Sequence, residues 1–258
     1  GKYELKDKMS NLKLLCLLEK GKESPTNISF NNIRTTDVLA ARLSKQLMID
    51  SAVIMNVLKD SELLSSYGYT PDNIASVFIP NTYEVYWTIK PKDLLERMIR
   101  EHQIFWNKKR KNQANAIGFT PLEISIIASI VEEETNKKTE KPTVAGLYIN
   151  RLHKNMPLQA DPTIRFALND FHIKRVLRGH LEVESPYNTY KNTGLPPGPI
   201  CLPSIESIDA VLNYEKHQYL YMCAKDDLSG YHAFASNFSE HQKNAYKYRM
   251  ALNRLKIR

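Results

Sequence analysis

Thr120-Pro-Leu-Glu-Ile-Ser-Ile-Ile-Ala-Ser-Ile-Val-Glu-Glu-Glu134 is the most informative run of the chain. It opens as a helix: Thr120 suits the N-cap, Pro121 the first helical position, and Glu123 closes a capping box. At about 100° per residue from Ile127, Ile124, Ile130 and Val131 fall within about 60° of the Ile127 direction, which predicts the buried stripe. Glu134 lands about 20° from the centre of that stripe, whereas Glu132 and Glu133 point well away. A carboxylate there is costly unless it is paired, protonated or open to a cleft. Two readings stay open: a general acid with a raised pKa, or a residue just past the core that reaches solvent or meets an arginine such as Arg151.

Two polar clusters lie downstream. Met156-Pro-Leu-Gln-Ala-Asp-Pro-Thr163 sets Gln159 and Asp161 in an otherwise apolar turn, suited either to bonding a polyhydroxylated ligand or to capping the next helix through Pro162. Ser185-Pro-Tyr-Asn-Thr-Tyr190, followed by Gly194-Leu-Pro-Pro-Gly198, offers Tyr187, Asn188 and Tyr190 on a stiff loop. Their rings and amide suit stacking on sugars and bonding hydroxyls, although a Pro-rich loop also serves as a plain clip.

The surrounding composition is that of a globular protein: 258 residues, 42% hydrophobic, 25% charged, 9 Gly and 13 Pro exclude a disordered or fibrous chain. The longest apolar stretch, Ile124 to Val131, is interrupted by Ser125 and Ser129 and falls far short of the roughly 18 to 20 residues of a membrane span. Cys16, Cys201 and Cys223 cannot all pair, and none forms a C-x-x-C motif, so they are expected to be buried or free thiols. The net charge of +8 draws nucleic acid, acidic headgroups or cell-wall polymer alike.

The pattern predicts an α+β fold in two parts. Residues 1–70 read as a small module: a strand at Lys2 to Leu5, a helix carrying Leu12, Leu15 and Leu18, a strand at Ile28 to Phe30, and helices near 36–48 and 51–65. Turn chemistry at Tyr67 to Asp72 marks the expected boundary. Residues 71–258 form the larger part, with a β-rich stretch at Ile74 to Trp87 and a long helix from Pro91 ending in the basic run Lys108 to Lys111. Helices near 121–136 and 140–153 follow, then a Pro-rich ordered loop over 186–203, a strand at Tyr219 to Ala224, and a basic helix from Ser239 to Arg258. The basic run reads as a solvated helix end.

Together the clusters resemble the endolytic murein transglycosylase (YceG-like, MltG) family. The matching stretches are Ala128 to Thr135, Asn150-Arg-Leu, Met156 to Thr163, Tyr187 to Tyr190, Gly194 to Gly198, Tyr219-Leu-Tyr221, His232-Ala-Phe234 and Glu240-His241, in the family's order over about half the chain. Asn81, where the family often has Asp, and Cys201-Leu-Pro-Ser204, where it often has Asn-Pro-Gly, depart from the pattern.

The resemblance implies a LysM-like N-terminal module whose start is missing, followed by a catalytic domain with a lytic-transglycosylase-like helical core. It implies Glu134 as the catalytic residue, Gln159, Asp161, Tyr187, Asn188 and Tyr190 as substrate-binding residues, and no metal or organic cofactor. The reaction implied is cleavage of the β-1,4 bond between N-acetylmuramic acid and N-acetylglucosamine without water, leaving a 1,6-anhydro end. The implied partners are peptidoglycan strands and a wall-synthesis complex rather than nucleic acid. The resemblance further implies a membrane anchor upstream of the truncated module, and with it an expected place on the extracytoplasmic, periplasmic face of the bacterial cytoplasmic membrane. The alternatives are a muramidase using Glu134 and Asp161, or a non-catalytic basic protein that binds cell wall or polyanions.

Overall fold

The computed structural model describes residues 1–254. They form two compact units, Gly1–Phe105 and a second that starts at Trp106.

In the first unit, α1 (Asn11–Glu19) precedes β1 (Thr26–Ser29), α2 (Thr36–Ser44), α3 (Ser51–Lys59), α4 (Ser61–Ser66), β2 (Thr82–Val85) and α5 (Pro91–Phe105). β1 and β2 pair antiparallel, with Ile28 opposite Tyr83. Their inward side chains, Ile28, Tyr83 and Val85, meet a core that includes Leu39 and Leu43 of α2, Ile54 and Leu58 of α3 and Leu95 and Met98 of α5. This pairing corrects the expected boundary at residues 67–72. A cut there would separate β1 from β2, its partner strand among the described residues, so the unit runs on through α5. The strand expected at Lys2 to Leu5 is also absent; that segment is held by the Lys2 carbonyl, which accepts from the Ser24 N–H, and by Ser24 Oγ, which accepts from the Glu4 N–H.

The second unit comprises α6 (Lys108–Ala116), α7 (Pro121–Glu134), α8 (Lys141–His153), α9 (Asp161–Ala167), α10 (Ile205–Leu212), β3 (Tyr221–Ala224), β4 (His232–Ala235) and α11 (Phe238–Arg254). The basic run Lys108 to Lys111 therefore opens α6 instead of ending α5. α11 begins one residue earlier than expected, and positions 255–258 of that expected helix lie outside the described residues.

α7 is the centre of this unit. Its start carries the capping box: Thr120 Oγ1 accepts from the Glu123 N–H, and the Glu123 carboxylate accepts from the Thr120 N–H at 2.7 Å. Such a cap contributes about 1 kcal/mol. Every residue from Ile124 to Val131 is buried, so the helix is enclosed on all sides and not only along the stripe. α8, α9 and α10 pack around it. The Pro-rich loop is sewn to its middle, where Ser129 Oγ accepts from the Ile200 N–H at 3.0 Å. β3 and β4 form an antiparallel hairpin with Ala224 opposite His232, and α11 covers it. The approach to this hairpin presses on α8: a Cβ at Gly146 would stand 2.3 Å from the Glu215 carbonyl, so only glycine fits there. Among the described residues no single helix is long and apolar enough to cross a membrane.

Candidate active site

Where α7 emerges from the core it ends in three glutamates, and the surroundings of Glu132 and Glu134 differ completely. Glu132 turns toward the starts of α8 and α10. Its Oε2 accepts from Lys141 Nζ at 3.1 Å, from Ser204 Oγ at 2.6 Å and from Ser207 Oγ. Burial pushes this carboxyl up, but the two serine hydroxyls and the Lys141 ammonium together outweigh it and hold it below the ordinary range.

Glu134 faces a cleft of about 220 Å³ enclosed by α8, the 158–161 turn, Tyr190 and the β3–β4 hairpin. Tyr148 of α8 donates its hydroxyl to Glu134 Oε1 at 2.5 Å. The expected alternative, a pairing with Arg151, does not occur. Burial is the dominant influence on Glu134 and pushes its pKa up; the Tyr148 hydrogen bond and the more distant His232 and Arg165 pull it down, Asp161 adds to the rise, and the net shift is upward. A carboxyl that keeps its proton above the ordinary range, beside an opening, is equipped as a general acid. Tyr148 is itself pushed well above the usual phenol value, by burial first and Glu134 second, so it stays a donor.

Of the five expected binding residues, three reach this cleft. Gln159, Asp161 and Tyr190 line it, and the Tyr190 hydroxyl donates to Asp161 Oδ1 at 2.5 Å. Asp161 opens α9, whose N-cap is Ala160, so its carboxylate is turned to Tyr190 and not to capping. Burial and that hydrogen bond raise the Tyr190 pKa. Gln159 adopts φ +50°, a left-handed conformation. Its N–H donates to the Thr189 carbonyl and its Oε1 accepts from Arg151.

Tyr187 and Asn188, expected beside them, are not among the residues that line the cleft. Tyr187 is buried against Phe166, with ring centroids 4.7 Å apart. Asn188 is fully buried and works as a staple. Its amide donates to the Leu181 and Val183 carbonyls at 2.9 Å each, while Oδ1 accepts from the N–H of Tyr190. Both residues are consumed in holding the loop that presents Tyr190.

Three cleft residues carry no local sequence signal for a site. Tyr148 sits in a helix interior like any core aromatic. Arg151 donates Nε to the Leu220 carbonyl at 2.6 Å and Nη1 to the Pro157 and Leu158 carbonyls, tying the hairpin to the 157–159 turn. His232 arrives on β4 from 98 positions beyond Glu134, and only its place in a matching motif marked it. A larger groove of about 650 Å³ lies in the first unit, lined by Tyr86 and Arg97 among others. The raised carboxyl at the end of a core helix lines the smaller cleft and not this groove.

A carboxyl at the end of the central helix, raised in pKa and facing a polar cleft, marks the second unit as equipped for general acid catalysis. The chain belongs to the YceG-like family, whose model matches residues 1–247. It is 38% identical over 161 residues to the endolytic murein transglycosylase of Bacillus subtilis (strain 168), covering 61% of this chain and 42% of that protein. It is 29% identical over 226 residues to the endolytic murein transglycosylase of Streptococcus pneumoniae serotype 2 (strain D39 / NCTC 7466), covering 83% of this chain and 39% of that protein. The chain thus spans about two fifths of the length of these relatives. A crystal structure of a YceG-like protein from Listeria monocytogenes superposes with a TM-score of 0.72 at 28% identity, covering 93% of this chain and 83% of the other.

Proposed function

We propose that this chain is a lytic transglycosylase that cuts peptidoglycan glycan strands internally, with Glu134 as its acid. The observation that carries this is the raised Glu134 carboxyl at the mouth of the cleft, in a family whose named relatives are endolytic murein transglycosylases. Protonated Glu134 gives its hydrogen to the glycosidic oxygen between N-acetylmuramic acid and N-acetylglucosamine. As that bond breaks, the muramyl C6 hydroxyl closes on C1 and a 1,6-anhydro end forms without water. The hydroxyl's proton needs a base within the cleft, and the Glu134 carboxylate, once formed, can act as one. Gln159 and Tyr190 fix sugar hydroxyls, and Asp161 holds Tyr190.

The first unit, with its strand, helices and closing antiparallel strand, supports a LysM-like reading, and the α7-centred second unit supports the lytic-transglycosylase-like one. The substrate places the protein's work on the outer side of the cytoplasmic membrane, beside the wall-synthesis complex that makes new strands. A muramidase reading draws on one observation, that Asp161 lines the same cleft as Glu134. Digestion of purified murein in ¹⁸O-water decides: anhydro ends without label are expected, and labelled reducing ends would establish hydrolysis instead.

A further inference from the structure

His232 on β4 is gripped in the way a proton-accepting histidine is gripped. Its backbone N–H donates to Glu140 Oε1 at 2.6 Å and its ring Nδ1 stands 2.9 Å from Glu140 Oε2. The Glu140 side chain is only 4% exposed, so a buried carboxylate is spent on orienting one residue 92 positions away. The ring's far nitrogen, Nε2, has no hydrogen-bond partner among the described residues and is not sealed from solvent. The ring is 18% exposed and forms part of the wall that surrounds Glu134.

An ionised carboxylate has no hydrogen to give, so the hydrogen between the two residues belongs to Nδ1. In the neutral ring Nε2 then carries the lone pair, on a side chain that lines the cleft, a tautomer that second-partner carboxylates impose on functional histidines elsewhere. The backbone bond to Oε1 fixes the carboxylate itself, which keeps the ring from exchanging its two edges.

We propose that His232 Nε2 is the base that takes the proton of the attacking hydroxyl, while Glu134 supplies the proton of the leaving oxygen. This rests on the reading of the cleft given above and moves the hydroxyl's proton from the Glu134 carboxylate to a separate base. The Glu134 O–H bond breaks as the glycosidic oxygen leaves C1 with the bonding pair and takes that hydrogen. The C6 oxygen closes on C1 with a lone pair, and its hydrogen passes to Nε2. The site is left with a Glu134 carboxylate and a His232 imidazolium stabilised by Glu140. One proton passed from ring to carboxyl through water, as the product departs, restores the starting state.

Glu140→Gln tests this with almost no change of shape. The amide oxygen keeps the backbone N–H and the amide nitrogen must donate to Nδ1, so the ring hydrogen moves to Nε2 and the lone pair leaves the cleft. On purified murein strands, kcat for strand cleavage is expected to fall about 100-fold with KM within about twofold. His232→Ala should lose as much while melting near the wild-type temperature, because the backbone bond to Glu140 survives. Added imidazole should restore at least about tenfold to it and nothing to Glu134→Gln. Both variants within about threefold of wild type, or a folded His232→Ala that imidazole does not rescue, would overturn the assignment. If His232→Ala does not fold, kcat of Glu140→Gln decides alone. Labelled reducing ends from the wild type would sink the transglycosylase reading separately, and the same variants would then test His232 as the base acting on water.

Discussion

Glu132 and Glu134 stand two residues apart on the last turn of one helix and have opposite fates. Glu132 is surrounded by donors, Lys141, Ser204 and Ser207, and is held as a carboxylate that fastens three helices. Glu134 receives one hydrogen bond, from the Tyr148 phenol, and its burial outweighs that bond and holds it toward its acid form. The side chains are identical, so the roles come from what the fold brings to each side of α7.

The comparison breaks most visibly at Glu134→Gln, which keeps an acceptor for Tyr148 but has no proton to give. Murein cleavage should fall by more than about a thousandfold with the melting temperature little changed; a variant retaining a tenth of the activity would end the assignment. Glu132→Gln should do the reverse. It leaves the Lys141 ammonium, 6% exposed, with Glu206 at 3.6 Å as its remaining anion. A cost of about 2 kcal/mol is expected, below that of breaking a fully buried pair because Glu132 is partly open to water, with kcat near wild type. Because the folded Glu132 carboxyl lies below its ordinary value of 4.5, its contribution is complete above that value and disappears as pH falls through the lowered one. Denaturant midpoints of the two proteins should therefore converge in acid.

A second contrast, between staple and contact, sharpens the first. Asn188→Ala should cost about 1 to 3 kcal/mol in stability, since it removes a fully buried amide that holds the half-buried Leu181 and Val183 carbonyls and the Tyr190 N–H. Gln159→Ala should leave the melting temperature nearly unchanged and lower kcat/KM instead. The reverse pattern in paired melting and kinetic measurements would exchange their roles. The smallest effect is expected at Tyr148→Phe. Removing a hydrogen bond that lowers the Glu134 pKa lets that pKa rise, so the acid form persists to higher pH and the alkaline limb of the rate profile moves upward. A downward move would show that Tyr148 favours the protonated form.

What the sequence makes legible is local. Thr120, Pro121 and Glu123 announce the start of α7 through contacts three residues apart, and the angle of Glu134 follows from counting along the same helix. That count works because the terminal turn alone leaves the enclosed core; earlier in α7 every direction is buried, and phase carries no information there. What stays hidden is long-range. β1 finds β2 across 53 to 59 positions, so the unit boundary lies beyond the turn-rich stretch at Tyr67 to Asp72. Tyr187 and Asn188 have the chemistry of sugar contacts, but the half-buried Leu181 and Val183 carbonyls and the ring of Phe166 claim them first. His232 becomes meaningful only with Glu140 beside it, a pairing no spacing rule reveals.

Gln159 places folding and chemistry in direct competition at a single residue. A side chain in the left-handed region costs about 1 kcal/mol relative to glycine, and here the residue that bears it also points its amide toward the cleft. Selection for heat resistance alone would move this position toward glycine, relaxing the backbone and discarding the amide. Selection for turnover would keep glutamine and tolerate the strain. A library randomised at this codon and sorted separately for thermal survival and for murein cleavage would be drawn in two directions, and the gap between the winners would measure how much stability the cleft gives up to grip its substrate.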